Sequence, residues 1–165
     1  MQLTQFTDLG LRVVMHLAAT HATGLPNTKT VAAQLNLSYA HTTKVVTRLN
    51  ELGVVTTRRG RGGGLTITEL GRTATIGWLT RQLEGDGEVV ECNGPKPCPL
   101  RGNCSLRSAL RTAQEAFYAA LDHVTVADLT TSGSTGVLLT LTPPTARPAP
   151  NHEENPCHSH PNPKK

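Results

Sequence analysis

Residues 28–68 decide the fold, and they read TKTVAAQLNLSYAHTTKVVTRLNELGVVTTRRGRGGGLTIT. Apolar residues four positions apart predict a short helix over residues 28–35. A second helix can be capped by Ser38 and continue to Leu52, where Gly53 supplies a left-handed stop. Two helices joined by so short a turn have the proportions of a helix-turn-helix unit, whose second helix enters the DNA major groove.

A predicted β-hairpin follows this unit directly. The β-branched run VVTT at 54–57 and the alternating run LTIT at 65–68 flank the tip RRGRGGG. A hairpin in this position is a wing, and we expect Arg59 and Arg61 to grip the DNA backbone or a minor groove. A solvated basic turn is the plain alternative for this segment taken alone.

The distribution of charge agrees with DNA binding by the N-terminal half. Residues 1–72 carry eight Lys and Arg against three Asp and Glu, whereas residues 73–130 carry five against seven. The basic surface therefore belongs to the segment with the helix-turn-helix. Near the start of the second helix, four side chains are expected to face base edges or phosphates: Ser38, Tyr39, His41 and Lys44.

The remaining helices are predicted from apolar periodicity. Three- and four-residue steps predict helices over residues 3–19 and 76–83, and a long helix over residues 105–123. The long helix has a narrow apolar stripe made of Leu106, Leu110, Ala113, Phe117 and Leu121. Such a stripe favours a seam between two chains, with packing onto its own domain as the alternative. We therefore expect a homodimer, which suits a palindromic DNA site.

The predicted fold class is mainly α with a small β-hairpin: a winged helix-turn-helix domain, a long dimerisation helix and a cluster-binding loop that contains Cys92, Cys98 and Cys104. The predicted boundaries are 1–72 for the DNA-binding domain and 73–130 for the cluster loop and dimerisation helix. Residues 131–165 hold seven of the eleven prolines, which predicts a disordered Pro- and His-rich tail. His152, Cys157, His158 and His160 in that tail could instead chelate a metal.

Three cysteines, Cys92, Cys98 and Cys104, form a C-x5-C-x5-C pattern in a loop rich in proline and glycine. Structural zinc sites use closer pairs, whereas iron–sulfur clusters accept wider, loop-borne spacing because the ligands bind separate irons. The pattern therefore favours a cluster, with a disulfide switch and zinc as alternatives. We favour [4Fe-4S] over [2Fe-2S], because three cysteines suit a cubane with one exposed iron.

Several functional classes are excluded or disfavoured. The sequence contains no nucleophile–base arrangement, phosphate loop or carboxylate pair, so an enzyme is not expected. The longest apolar run, residues 13–19, is too short to span a bilayer, and a cytoplasmic protein is expected. Two other readings stay open: an iron–sulfur electron-transfer or accessory protein, and a cluster-free thiol-based regulator that binds DNA.

Three motifs together resemble the bacterial winged-helix regulators that carry iron–sulfur clusters. They are LTQFTDLGLR at 3–12, the wing RGRGGG at 59–64 and the three-cysteine spacing. The resemblance covers roughly residues 1–130 and is greatest to the nitric-oxide-responsive repressors of this superfamily. Cluster-assembly regulators of the same superfamily have a histidine ligand three residues after the third cysteine, where this chain has Arg107.

The resemblance implies a ligand and a mechanism. It implies that Asp8 reaches the cluster of the partner subunit, although an acidic residue in the first turn of a helix is also explained by the helix dipole. It further implies that nitric oxide nitrosylates the cluster, abolishes binding to a palindromic operator and derepresses genes for nitric oxide detoxification.

Overall fold

The structure is a computed structural model that describes residues 2–22, 24–60, 62–85, 87–131 and 134–141. Within these residues it contains eight helices and one two-stranded antiparallel sheet, which confirms the expected fold class. The elements in chain order are α1 (Gln5–Thr20), α2 (Thr28–Gln34), α3 (Tyr39–Glu51), β1 (Val55–Arg58), β2 (Gly64–Ile67), α4 (Glu69–Thr73), α5 (Ile76–Glu84), α6 (Ser105–Leu121), α7 (Val126–Thr130) and α8 (Ser134–Thr140).

Local capping signals set the start of most helices. Thr4 caps α1 by accepting a hydrogen bond from the Thr7 N–H. Asn27 caps α2 by accepting from the Thr30 N–H at 2.9 Å. Ser38 occupies the N-cap position of α3, but its side chain makes no cap hydrogen bond, so that detail of the prediction is wrong. Ser38 is exposed, and solvent can satisfy the first N–H groups of α3 instead.

The helix-turn-helix and the wing form as predicted. Gly53 ends α3 with φ 71°. In the hairpin, Val55 pairs with Ile67 and Arg58 pairs with Gly64. Gly60 and Gly62 at the tip have positive φ values of 94° and 79°, a conformation that glycine adopts without strain.

One hydrophobic core runs through the described chain. Fully buried side chains reach it from α1, α3, β1, α5 and α7, namely Val13, Leu49, Val55, Leu79 and Val126. The segments around Thr75 and Thr125 are joined by an antiparallel bridge. The expected boundary at residue 72 is therefore not a break in the core.

The long helix α6 has one side on the protein and one side in solvent. Tyr118, which is 3% exposed, is its buried residue, and Phe117 and Leu121 are half-buried. Leu106 at the other end of the expected stripe is 65% exposed. The helix thus packs on α5 near its C-terminus, while the N-terminal part of the stripe lies open.

Helix α8 differs from the sequence expectation. Residues 134–140 belong to the segment expected to be disordered, yet they form a helix that contacts α1 and α7. The sequence STGVLLT contains no proline and has an apolar run, whereas the prolines of the tail all come after it. His152, Cys157, His158 and His160 lie outside the described residues.

Candidate functional site

The first turns of α3 present the four residues expected to read DNA. Ser38, Tyr39, His41 and Lys44 are all exposed, and Tyr39 is 58% exposed. A surface that reads base edges has to be open in this way. Their contacts with DNA stay a prediction.

The opposite face of α3 holds the helix in place. Thr42, Val45, Val46 and Leu49 are buried. Near its C-terminus, Arg48 donates a hydrogen bond to the carbonyl of Gln82 at the end of α5, at 3.3 Å. The orientation of α3 is therefore tied to α5 as well as to the core.

The wing carries one basic residue that sequence reasoning did not assign to the site. Arg58 and Arg59 are both exposed, and Arg58 is the last residue of β1. Its place in the arginine run was visible in the sequence, but its exposure depended on the strand register. Arg61 lies outside the described residues, so its expected role is a prediction only.

A shallow cavity of about 200 Å³ separates the start of α1 from the start of α3. It is lined by Gln5, Phe6, Leu9, His41 and Lys44. Asp8 lies in the same turn of α1 and forms an ion pair with Arg12, with Nη2 and Oδ2 2.9 Å apart. The first turn of α1, which carries Asp8, therefore lies across this cavity from two of the side chains expected to meet DNA.

The three cysteines lie on one turn-rich loop between α5 and α6. The Cys98 N–H donates to the Cys92 carbonyl at 3.2 Å, and the Arg101 N–H donates to the Cys98 carbonyl at 3.1 Å. Cys92 is buried, Cys98 and Cys104 are half-buried, and all three are free thiols. The loop backbone thus keeps Cys92 and Cys98 close together.

Cys104 joins this loop to α6. Its Sγ accepts a hydrogen bond from the Arg107 N–H at 3.4 Å and so caps the helix. The N-terminus of a helix carries partial positive charge, which favours a negatively charged sulfur at this position.

Arg107 holds the loop from the first turn of α6. Its Nε and Nη2 each lie 2.6 Å from a carboxylate oxygen of Glu88, and its Nη1 donates to the Arg101 carbonyl at 3.2 Å. The hydrogen bond from Arg107 lowers the pKa of Glu88. The pKa of Arg107 is raised, first by the hydrogen bond to Glu88 and then by the charge of that carboxylate. Arg107 and Glu88 are 19 positions apart, so no local pattern in the sequence predicts this ion pair.

The donor set of the loop fits an iron–sulfur cluster in its chemistry. Three free thiols are the ligands that such clusters use, and the cysteine side chains are buried or half-buried although most of the loop is exposed. In the part of the chain that the structure describes, no group of three or more His, Cys, Asp and Glu side chains is gathered closely enough for one metal ion. The three cysteines therefore fit a cluster because they are suitable ligands and share one loop. Their side chains do not form a preformed metal site.

A charged network joins α6 to α5. Arg81 Nη1 lies 2.9 Å from Asp122 Oδ2 and 3.1 Å from Oδ1, and the guanidinium carbon lies 4.9 Å from the centroid of the Tyr118 ring. The hydrogen bond from Arg81 is the main cause of the lowered pKa of Asp122. Since the next residue, Gln82, receives the bond from Arg48, α5 contacts both the helix after the cysteines and the expected DNA-reading helix.

The sequence matches a known family over most of its length. A family described as "Rrf2: Iron-dependent Transcriptional regulator" matches residues 3–132. The HTH-type transcriptional repressor NsrR of Streptomyces coelicolor is 57% identical over 143 residues, covering 86% of this chain and 97% of the relative. The HTH-type transcriptional regulator NsrR of Bacillus subtilis is 39% identical over 131 residues, covering 78% of this chain and 90% of the relative.

Solved structures show the same fold. CymR, the global cysteine regulator of B. subtilis, superposes with a TM-score of 0.60 at 27% identity, covering 79% of this chain and 97% of CymR. T. potens IscR gives a TM-score of 0.62 at 21% identity, covering 79% of this chain and 87% of IscR, and shows the fold alone. Within the described residues, no helix is long and apolar enough to cross a membrane. The regulatory names of the relatives confirm that the chain is not an enzyme, and the match over residues 3–132 shows that it belongs to the Rrf2 family of transcriptional regulators.

Proposed function

We propose that this protein is a homodimeric transcriptional repressor that senses nitric oxide through an iron–sulfur cluster. The observation that carries the proposal is the loop with three free thiols, which ends at α6 in a chain that exposes a winged helix-turn-helix. The 57% identity to a protein named as a repressor supports the direction of regulation. The choice of nitric oxide rests on the resemblance in the sequence motifs.

Cys92, Cys98 and Cys104 would hold the cluster, and Asp8 from the other subunit would supply an oxygen ligand. When bound, a [4Fe-4S] cluster supplies an iron that can react with a small molecule such as nitric oxide. The contribution of the chain itself would be to link the Asp8 ligand to the DNA-binding surface. The first turns of α1 line the same cavity as His41 and Lys44 of α3, so a change in what Asp8 binds would reach the side chains expected to meet DNA through this cavity.

In the DNA-bound dimer, two α3 helices would enter successive major grooves of a palindromic operator. Arg58 and Arg59 of the exposed wing would contact the flanking phosphates or the minor groove, together with Arg61. The basic charge of residues 1–72 supports attraction to the DNA backbone.

The test begins with anaerobic purification of the full chain and counts of iron, sulfide and zinc. Serine replacement of Cys92, Cys98 or Cys104 should abolish the visible absorption of the cluster, whereas Cys157→Ser is the matched control and should keep it. Operator binding by the cluster-loaded dimer should be lost on stoichiometric nitric oxide. Zinc in place of iron, or equal binding before and after nitric oxide, contradicts the proposal.

Asp8 needs its own control, because it also pairs with Arg12. Asp8→Asn and Arg12→Gln both remove the ion pair, but only Asp8→Asn removes a carboxylate ligand. We expect Asp8→Asn alone to alter the absorption spectrum of the cluster. Identical spectra for the two variants would show that Asp8 serves only the ion pair.

A further inference from the structure

The exposed threonines of α3 do not present free hydroxyl donors. Thr43 Oγ1 donates to the Tyr39 carbonyl at 2.9 Å, and Thr47 Oγ1 donates to the Thr43 carbonyl at 3.0 Å. Both residues are exposed. Because each hydroxyl hydrogen is directed to the helix's own backbone, the hydroxyl can only accept a hydrogen bond from a partner, and the methyl group is free to make apolar contacts.

Thr43 and Thr47 lie on the side of α3 that faces away from the protein. The buried residues are Thr42, Val45, Val46 and Leu49, and a step of about 100° per residue places Ala40, Lys44 and Thr47 opposite to them. Thr43 is next to this group and one turn from Thr47. A helix inserted in a groove therefore brings these methyl groups to the base edges first.

The side chains of this face that can contact thymine are Ala40, Thr43 and Thr47. Residues 39–47 contain no Arg, Asn, Gln, Asp or Glu. Arginine and lysine read guanine, and asparagine and glutamine read adenine, whereas alanine and the threonine methyl group contact the C5-methyl group of thymine. Near the start of the helix, Lys44 can pair with guanine, and Ser38 and Tyr39 can contact phosphates.

We propose that Thr43 and Thr47 are specificity-determining residues that contact thymine methyl groups in the major groove. The inference rests on the proposed function, because it assumes that α3 reads operator DNA. It adds which base is read and by which atoms. The hydroxyl oxygens can still accept a hydrogen bond, but they donate to DNA only after their bonds to the α3 carbonyls are broken.

The experiment uses the full chain, cluster-loaded and handled anaerobically, and an operator selected by this protein from random-sequence duplexes. Each thymine of the selected site is replaced in turn by deoxyuridine, which removes the methyl group and keeps the base pair. We expect one or two thymines per half-site at which affinity falls about fourfold, since a buried methyl group contributes about 0.8 kcal/mol.

Matched protein variants separate the methyl group from the hydroxyl group. Thr47→Ser keeps the hydroxyl and loses the methyl, so it should weaken binding about fourfold and become insensitive to deoxyuridine at its thymine. Thr47→Val keeps a methyl and loses the hydroxyl, so it should bind as tightly as the wild type. The same pair of changes at Thr43 should report on a different thymine.

Three results would overturn the inference. Specific binding that is indifferent to deoxyuridine at every thymine rejects it and leaves the proposed function standing. Tight binding by the serine variants with weak binding by the valine variants shows that the hydroxyls are read instead. If the wild type enriches no sequence from the pool, the proposed function is wrong together with this inference.

Discussion

The crossing of α5 and α6 depends on Gly77, and Gly77→Ala tests it. A Cβ at this position would overlap Asp122 Oδ1 and would lie 2.5 Å from the Tyr118 carbonyl oxygen. Ordinary contact begins at 3.4 Å, so the α6 backbone must retreat by about 1 Å. Because Tyr118 and Asp122 both contact Arg81, that retreat also disturbs the network between the helices.

Two opposing contributions set the change in the free energy of unfolding of Gly77→Ala. Overpacking costs about 1–3 kcal/mol. Replacing glycine by alanine in a helix stabilises the helix by up to about 1 kcal/mol. We therefore expect a net loss of about 1–2 kcal/mol, which lowers the Tm of a chain of this length by about 2–8 °C.

The assay is thermal unfolding followed by far-UV circular dichroism at one fixed protein concentration. Gly87→Ala is the matched control, because a Cβ at Gly87 meets nothing within 4 Å. The control should stay within about 0.5 kcal/mol of the wild type. If Gly77→Ala proves as stable as the wild type and the control, the close approach of α5 to α6 is wrong.

Two further predictions concern local contacts. Asn27→Ala removes the N-cap of α2 and should lower the free energy of unfolding in urea by about 1 kcal/mol. Ser38→Ala removes no cap hydrogen bond and should change that free energy by less than about 0.5 kcal/mol. Equal losses for the two variants would contradict the cap assignment. Burial lowers the pKa of His16 from 6.5, with an opposing contribution from its hydrogen bond to Gln34. Below pH 6.5 the unfolded chain therefore binds more protons, and stability falls as the pH falls. His16→Gln should flatten that decline between pH 7.5 and 5.5, and an unchanged slope would refute the role of His16.

Sequence patterns between neighbouring residues predicted the helix-turn-helix and the wing well. Thr4 caps α1, Gly53 ends α3 and the hairpin forms around a glycine tip, because each of these depends on residues close together in the sequence. Tyr39 and Lys44 are exposed, as expected from their position near the start of the predicted second helix. The cysteine loop was also recognisable, since its spacing and its prolines are local features.

Contacts between distant residues could not be predicted in this way. Arg81 meets Asp122 across 41 positions, and Arg107 meets Glu88 across 19. Nothing near these residues in the sequence distinguishes them from other surface charges. Helix α8 was missed because the composition of residues 131–165 is dominated by prolines that come after the helix.

The Asp8 assignment depends on the family resemblance rather than on the chain's own geometry. Within one subunit, Asp8 has an ordinary partner in Arg12 and a favourable place at the start of α1. A ligand contributed across a dimer is invisible in a single sequence.

The shared core limits how such a regulator can change over evolution or be re-engineered. Leu79 of α5 and Val126 of α7 pack in the same cluster as Leu49 of α3, so the part of the chain after residue 72 cannot be exchanged on its own. A chimera that joins residues 1–72 of this chain to the C-terminal half of another member has to match that apolar surface as well. Substitutions at the exposed residues of the loop 93–103, in contrast, leave the shared packing of α3, α5 and α7 unchanged.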